Sequence, residues 1–344
     1  GDGSVLFVWS DAHCPDRNIY AQRISPQGNP MWPSPRAIDA KSGIQRDPTL
    51  AKTSDGNFVV AWVDKFVDPG GGICLQKINA AGERLWPEGG IGFSAGSGWD
   101  KELRLIPDNL GGVVVTWTKE TDNIMRTWAQ SFGPAGNLRW PEGGIMLTNQ
   151  DYYLATSVIP DGENGIYVAY SSDYDSQSRL YLNRFAAEGT PAWNAPVCIG
   201  SGTEMHRMGL LSQGGNAVWL AWYFYDGYDN AIMLQRFNYQ GSPLWAAPLE
   251  VSSSQVGYDL LEGTLWMEAD NSLLLTLIST DNPGTLSLLK IGPDGQSLFG
   301  NGITVDDDVQ NIYSGRYTRL QADGAGGCVV AWSRCDQSDW YGDL

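Results

Sequence analysis

A glycine followed four residues later by a large aromatic residue recurs along this chain at a nearly constant interval. The copies are Gly28/Trp32, Gly82/Trp86, Gly136/Trp140, Gly189/Trp193, Gly241/Trp245 and Gly295/Phe299. Successive glycines are 54, 54, 53, 52 and 54 residues apart. A fixed period of this length is typical of an array of one supersecondary unit. The chain is therefore predicted to build its fold from copies of one small unit.

A second marker, a short apolar run ending in a bulky residue, repeats in step with the first. The runs end at Trp9, Trp62, Trp117, Tyr170, Trp222, Leu277 and Trp332, which are 53, 55, 53, 52, 55 and 55 residues apart. Most of the runs follow turn residues such as Asp55-Gly56-Asn57. Five-residue runs rich in Val, Leu and aromatic residues between turn signals predict buried β-strands.

Each period divides into four short strands, for example PTLAKT from Pro48, FVVAW ending at Trp62, ICLQKI from Ile73 and a weak IGF from Ile91. The third strand alternates apolar and polar residues, as expected when one face is buried. The repeated glycine follows this strand and suits a turn with positive φ. The tryptophan after it is predicted to pack as a core wedge between strands. No sustained helical periodicity is present.

Four antiparallel strands in each of seven repeats predict an all-β fold, a β-propeller of seven blades. Residues 1–344 would form one domain of repeats of roughly 53 residues. The first blade lacks its first strand and the last blade is incomplete in this chain. Six blades are the alternative, but they would leave the strand ending at Trp332 without a place. An open solenoid is less favoured, because no polar capping repeat is visible.

Composition limits the partners of the chain. The net charge is −17, from 22 basic and 39 acidic residues. Nucleic acid and anionic membrane surfaces are disfavoured, since both would repel such a protein. No apolar run is long enough to span a membrane, and no signal peptide is present. Membrane insertion is therefore not expected.

The cysteines are Cys14, Cys74, Cys198, Cys328 and Cys335, with no CxxC pair that would suggest zinc. Cys74 and Cys328 lie inside predicted strands and are expected to be buried thiols. Cys14 and Cys335 each follow a second strand, in the first and last repeats. In a closed ring these repeats are neighbours, so a disulfide between Cys14 and Cys335 would lock the ring. Two free thiols are the alternative.

Acidic residues supply the candidate metal sites. The strongest local run is Asp306-Asp307-Asp308. Calcium takes six to eight oxygen ligands, often from alternating loop positions, and this run matches no complete calcium loop. No cofactor is required by the sequence, and calcium is the ion considered for such a run. A solvated loop is the alternative.

The fourth and fifth repeats carry an unusual density of tyrosine in equivalent loops. These loops contain Asp173, Tyr174, Tyr223, Tyr225, Asp226 and Tyr228. Tyrosine combines an apolar face with a hydroxyl group and suits a sugar ring or a protein partner. The loops are therefore predicted to form one exposed ligand-binding patch. The alternative is that Tyr223, next to Trp222, is a packing residue.

The repeat resembles a known kind of protein. The segments SDGNFVVAWVD, ICLQKINAAGERLWPEGG and GNLRWPEGG resemble repeats of large exported and cell-surface bacterial proteins. Such proteins often end in a sorting domain for type IX secretion, although no sorting domain occurs within these residues. The resemblance implies an extracellular or cell-surface location and membership of a larger polypeptide or surface complex. It supplies no catalytic residues.

Signs of catalysis are few. The two histidines, His13 and His206, lie in different repeats, and neither an HExxH nor a G-x-S-x-G motif is present. The sequence therefore favours a non-catalytic propeller that presents a binding face to protein partners. A carbohydrate-binding propeller is the first alternative. A glycoside hydrolase or polysaccharide lyase is the second, because a chain with this many acids always permits two-carboxylate chemistry.

Overall fold

The repeats form antiparallel β-sheets in a computed structural model of the chain. The structure describes residues 2–11, 16–39, 41–65, 72–93, 102–121, 124–148, 156–174, 177–202, 208–212, 216–225, 230–253, 265–279, 284–309, 318–323 and 327–332. Within these ranges every regular element is a strand, so the predicted all-β class is confirmed. No helix in this part of the chain could span a membrane.

The chain packs as two compact units. Unit 1 comprises Gly1–Leu154, Glu163–Gly165 and Phe185–Thr190, and unit 2 comprises Ala155–Gly162, Ile166–Arg184 and Pro191–Leu344. Every β-sheet lies within one unit, except that Phe185, the last residue of one strand of unit 2, is assigned to unit 1.

Unit 1 contains one sheet of three strands and two sheets of four. Sheet 1 consists of β1 (Val5–Asp11), β2 (Asn18–Ile24) and β3 (Arg36–Asp39). Sheet 2 consists of β4 (Gln45–Lys52), β5 (Phe58–Asp64), β6 (Gly72–Ile78) and β7 (Ile91–Phe93). Sheet 3 consists of β8 (Arg104–Pro107), β9 (Val113–Thr121), β10 (Ile124–Phe132) and β11 (Ile145–Met146).

Unit 2 contains three sheets of four strands and one of two. Sheet 4 consists of β12 (Thr156–Pro160), β13 (Ile166–Tyr174), β14 (Gln177–Phe185) and β15 (Val197–Gly202). Sheet 5 consists of β16 (Met208–Ser212), β17 (Ala217–Tyr225), β18 (Asn230–Asn238) and β19 (Leu249–Ser253). Sheet 6 consists of β20 (Leu265–Met267), β21 (Leu273–Ile278), β22 (Gly284–Ile291) and β23 (Ile303–Val309), and sheet 7 of β24 (Arg319–Ala322) and β25 (Cys328–Ala331).

The predicted four-strand unit is confirmed. Sheets 2 to 6 each join their four strands in sequence order by antiparallel pairing. The apolar runs form the second strand of these sheets, and even the weak run from Ile91 pairs, as β7, with β6. Sheet 1 begins with its second strand, because β1 contains the run that ends at Trp9.

The hydrophobic core lies between successive sheets within each unit. In unit 1, Ile19 and Ile38 of sheet 1 pack on Val60 and Trp62 of sheet 2. The opposite face of sheet 2 packs on sheet 3 through Val59, Leu75 and Val115, among others. Sheets 4 and 5, 5 and 6, and 6 and 7 share cores of the same kind in unit 2. Central strands are thus apolar on both faces.

The repeated glycines and tryptophans link one repeat to the next. All six glycines have φ between 78° and 85°, which confirms the predicted positive-φ turn. Each tryptophan reaches the glycine turn of the following repeat, 46 to 48 residues further along the chain. The bonds, each from an indole Nε1 to a carbonyl oxygen, join Trp32 to Ala80 (3.2 Å), Trp86 to Pro134 (3.0 Å), Trp140 to Ala187 (2.8 Å), Trp193 to Tyr239 (3.1 Å) and Trp245 to Pro293 (3.1 Å).

Candidate functional site

Each four-stranded sheet has two different ends, because its strands alternate in direction. One end carries the turn from the first to the second strand and the glycine turn from the third to the fourth. We call it the clasp end. The opposite end carries the connection from the second to the third strand and the passage to the next sheet. We call it the variable end.

Polar contacts at the clasp end recur from repeat to repeat. A basic residue near the end of the third strand pairs with an aspartate in the first turn of the same sheet. The pairs in sheets 1, 2, 4 and 6 are Arg23–Asp2 (2.6 Å), Lys77–Asp55 (2.6 Å), Arg184–Asp161 (2.6 Å) and Lys290–Asp270 (3.4 Å). Because these ion pairs recur in several repeats, we assign them to stabilising the fold and look for the functional site at the other end of the sheets.

Sheet 3 also pairs a basic residue with an aspartate of its first turn, but the basic residue comes from a different position. Ser131 occupies the position of the basic residue on β10, and Arg139 from the glycine turn pairs with Asp108 instead. The backbone nitrogen of Arg139 donates to the carbonyl oxygen of Ser131 at 2.9 Å, which places the two residues side by side. The sequence alone shows Ser131 where other repeats have a basic residue, but it does not show that Arg139 takes over the pair with Asp108.

The variable end of sheets 1 and 2 contains a buried polar cluster, consisting of Asp39, Gln45, Asp64 and Cys74. Asp39 is 3% exposed and Asp64 is fully buried. Gln45 lies directly opposite Asp64 in the β4–β5 ladder, and neither atom of its buried amide has a hydrogen-bond partner. Burial, reinforced by Asp64, raises the pKa of the Cys74 thiol to about 12, so this predicted buried thiol stays neutral.

The Lys41 side chain contacts this cluster, and the backbones of Arg17 and Lys65 lie nearby. The Nζ of Lys41 lies 3.8 Å from Asp39 and donates to the Gly89 carbonyl oxygen at 3.2 Å. Arg17 forms a parallel bridge with Ile44, and the backbone nitrogen of Lys65 donates to the Ile44 carbonyl oxygen at 3.3 Å. Lys41 thus brings one positive charge to a cluster that contains two aspartates.

In sheet 3 the variable end places two cations side by side. Lys119 of β9 and Arg126 of β10 are directly opposite in the antiparallel ladder. The equivalent positions of sheet 2 hold Asp64 and Gly72, and those of sheet 1 hold Asp11 and Asn18. The repeat therefore changes its charge at this position from sheet to sheet. Positions that vary within a regular array are the best candidates for function.

The predicted tyrosine patch is wrong at Tyr223. This residue is buried between sheets 5 and 6, against Leu234 and Leu275. The physical reason is that β17 has sheets on both faces, so that Trp222 packs on one side and Tyr223 on the other. The backbones of Asp173, Tyr174 and Tyr225 lie at the ends of β13 and β17, but their side chains, and all of Asp226 and Tyr228, fall outside the described residues.

The other predicted sites lie partly outside the described residues. Asp306 is buried and accepts a 2.8 Å hydrogen bond from the Trp332 indole, whereas Asp307 is exposed. The side chain of Asp308 is not described. No group of three or more His, Cys, Asp or Glu side chains in the described ranges could hold a metal ion. Cys14 and Cys335 lie outside the described residues, so their disulfide stays a prediction.

The fold is shared with solved polysaccharide lyases. An ulvan lyase of the polysaccharide lyase family PL25, bound to -[GlcA(1-4)Rha3S]-, has a TM-score of 0.54 and 11% identity, covering 88% of this chain and 80% of that one. The polysaccharide lyase Uly1 has a TM-score of 0.51 and 7% identity, covering 97% of this chain and 85% of that one. No protein family and no curated protein matches the sequence. At these identities the likeness establishes a shared fold.

This comparison contradicts the first functional expectation from the sequence. A non-catalytic propeller with a binding face was expected. The solved structures named above share the fold over most of the chain, and they are enzymes that act on polysaccharides. Of the three functions that the sequence left open, they favour the glycoside hydrolase or polysaccharide lyase.

Proposed function

We propose that this protein is an exported bacterial enzyme that cleaves an acidic polysaccharide by elimination, as a polysaccharide lyase. The observation that carries the proposal is the fold shared with an ulvan lyase over 88% of this chain and 80% of that one. The repeats' resemblance to bacterial cell-surface proteins supports an extracellular location, where polysaccharides are encountered.

Elimination at a uronate needs positive charge near the carboxyl group, and the variable end carries basic side chains. In elimination at a uronate, a base takes the proton from the carbon that bears the carboxyl group. A double bond forms between this carbon and its neighbour, and the glycosidic oxygen on that neighbour leaves with the electron pair of its C–O bond. Positive charge next to the carboxyl group stabilises the anion that develops. Lys41, Lys119 and Arg126 offer such charge at the variable end.

We also propose that the seven sheets are the blades of one seven-bladed propeller. Sheet 1 supports this, because Val5 and Phe7 on one face of β1 are 54% and 53% exposed. On sheet 2 the residue equivalent to Phe7, Val60, is fully buried against sheet 1. A ring of sheets would cover the exposed face in the same way. A crystal structure in which seven sheets are related by successive rotations of one-seventh of a turn would confirm it.

The test of the activity is incubation of the purified protein with a panel of uronate-containing and neutral polysaccharides. We expect ultraviolet absorbance from the unsaturated uronate that elimination creates, together with new reducing ends. New reducing ends without that absorbance would identify a glycoside hydrolase. If no polysaccharide of the panel gives either signal, the proposed activity is contradicted.

A further inference from the structure

Arg236 of sheet 5 has no aspartate in the first turn of its sheet with which to pair. It lies near the end of β18, at the position that Arg184 occupies in sheet 4, where Arg184 pairs with Asp161 at 2.6 Å. Asp161 stands nine residues before the end of its apolar run, and the same count in sheet 5 reaches Gln213. Residues 213–216, between β16 and β17, are Gln-Gly-Gly-Asn. The first turn of sheet 5 therefore contains no carboxylate.

The Arg236 guanidinium lacks the contact that its counterpart in sheet 4 makes along one edge. The Nη1 of Arg236 donates to the carbonyl oxygen of Pro293 at 2.7 Å. In sheet 4 the other edge of the guanidinium binds a carboxylate, since Asp161 accepts from the Nε of Arg184 at 2.8 Å and lies 2.6 Å from its Nη2. The Nε of Arg236 is buried and has no hydrogen-bond partner among the described residues. A buried donor in this state costs stability, and an acceptor placed beside it would remove that cost.

The surrounding side chains hold the guanidinium of Arg236 in place. Its central carbon lies 5.0 Å from the centre of the Trp219 ring, within the range of a cation–π interaction. Trp219 is directly opposite Arg236 in the β17–β18 ladder, is 1% exposed and packs edge-on against Trp245. Burial lowers the pKa of Arg236 from its ordinary value, because the charged group loses part of its hydration. The side chain is still partly exposed, so the charge is accessible from solvent.

We propose that Arg236 binds the carboxylate group of a ligand, in the place that Asp161 takes in sheet 4. A carboxylate fits because its two oxygens match two parallel N–H donors on one edge of a guanidinium. Sheets 1, 2, 3, 4 and 6 each accommodate an aspartate carboxylate beside a basic residue at this end. The ligand is a carboxylic acid, either a small acid or a uronate sugar. The site lies at the clasp end, opposite the variable end, and is independent of the proposed function.

The experiment titrates the whole chain with sodium acetate and with sodium glucuronate and follows the NMR signal of the Arg236 Nε–H. Sodium chloride at the same ionic strength is the control for screening. The wild-type signal should shift saturably with either acid. Gln213→Asp provides a carboxylate within the chain at a high effective concentration, so it should weaken binding roughly tenfold or more. Gln213→Asn is the matched neutral control and should bind like the wild type.

The outcomes separate the two kinds of ligand and can overturn the site. Arg236→Lys identifies the signal by its disappearance, and thermal unfolding in sodium chloride shows that each variant folds. Equal affinities for acetate and glucuronate assign the site to any small carboxylate, and tighter binding of glucuronate assigns it to a uronate. A wild-type signal that moves no further with either acid than with chloride would overturn the proposal. A Gln213→Asp variant that binds as tightly as the wild type would overturn it too.

Discussion

The indole nitrogen of Trp86 donates a 3.0 Å hydrogen bond to the carbonyl oxygen of Pro134, which lies 48 residues further along the chain. Trp86 also belongs to the core between sheets 2 and 3. One side chain therefore both fills the core and fixes the position of the next repeat's turn. The same bond recurs from Trp32, Trp140, Trp193 and Trp245.

Two substitutions at Trp86 should separate these contributions. Trp86→Phe keeps most of the apolar volume and loses the hydrogen bond, so we expect a loss of about 1 kcal/mol in the free energy of unfolding. Trp86→Ala also empties the core and should cost roughly 3–5 kcal/mol. Urea denaturation measures both values. Phe299→Ala, at the more exposed sixth position of the series, should cost less, and an equal cost would contradict the role of the core.

Two glycines test the close approach between repeats. Gly28 and Gly189 have nearly the same φ, 82° and 81°. A Cβ atom at Gly28 would meet nothing within 4 Å, whereas one at Gly189 would lie 2.9 Å from the Trp140 ring. Gly28→Ala should therefore cost only the backbone strain, about 1–2 kcal/mol, and Gly189→Ala should cost clearly more. Equal losses in thermal or urea unfolding would show that the tryptophan contact imposes no constraint.

The Asp55–Lys77 pair should make stability depend on acid pH. Burial tends to raise the pKa of Asp55, but hydrogen bonds from Lys77, Thr53 and Asn57 outweigh it and hold the pKa below its ordinary value of 3.8. A carboxyl group of this kind contributes stability above its unfolded pKa, and the contribution disappears as the pH falls through the folded pKa.

Asp55→Asn should therefore destabilise the protein at neutral pH by roughly 3 kcal/mol, because it leaves the Lys77 ammonium buried without its counter-ion. The difference between wild type and variant should shrink as the pH falls below 3.8. Urea unfolding at a series of pH values measures it. Glu88→Gln, at a 94% exposed side chain, is the control and should show no such trend. A difference independent of pH would contradict the ionic explanation.

In sheet 3 the exceptional Arg139–Asp108 pair can be replaced by the kind of pair that the other repeats form. Arg139→Leu removes the partner of the buried Asp108 and should cost roughly 3 kcal/mol. Adding Ser131→Lys restores the basic residue of the other repeats and should recover more than half of that loss. A double-mutant cycle in urea measures the coupling. If Ser131→Lys changes the free energy of unfolding equally with and without Arg139→Leu, a basic residue at position 131 does not replace Arg139.

The disulfide between Cys14 and Cys335 stays a prediction, and peptide mapping without reductant can test it. In an oxidising compartment the two cysteines should have Cα atoms within about 7 Å, the geometric limit for a disulfide. Mass spectrometry after digestion without reductant should find the linked peptide. Finding both thiols free in protein purified from an oxidising compartment would remove this closure of the ring.

Short-range sequence patterns were sufficient to predict the strands and turns. The period of about 53 residues, the seven apolar runs and the positive φ of the repeated glycines were all readable from sequence, because each depends on residues close together in the chain. Burial of Trp32, Trp86 and Trp140 followed from the same pattern.

The partners of these residues depended on how the sheets stack. The bond from Trp86 to Pro134 and the substitution of Arg139 for Ser131 join residues brought together only by packing. Tyr223 is buried because a sheet covers each face of β17. The pairing of Lys119 with Arg126 depends on the register of β9 and β10. The sequence by itself thus determined the repeating unit, since propensity and periodicity are local. Tertiary structure decided which side chains meet, since register and stacking join distant residues.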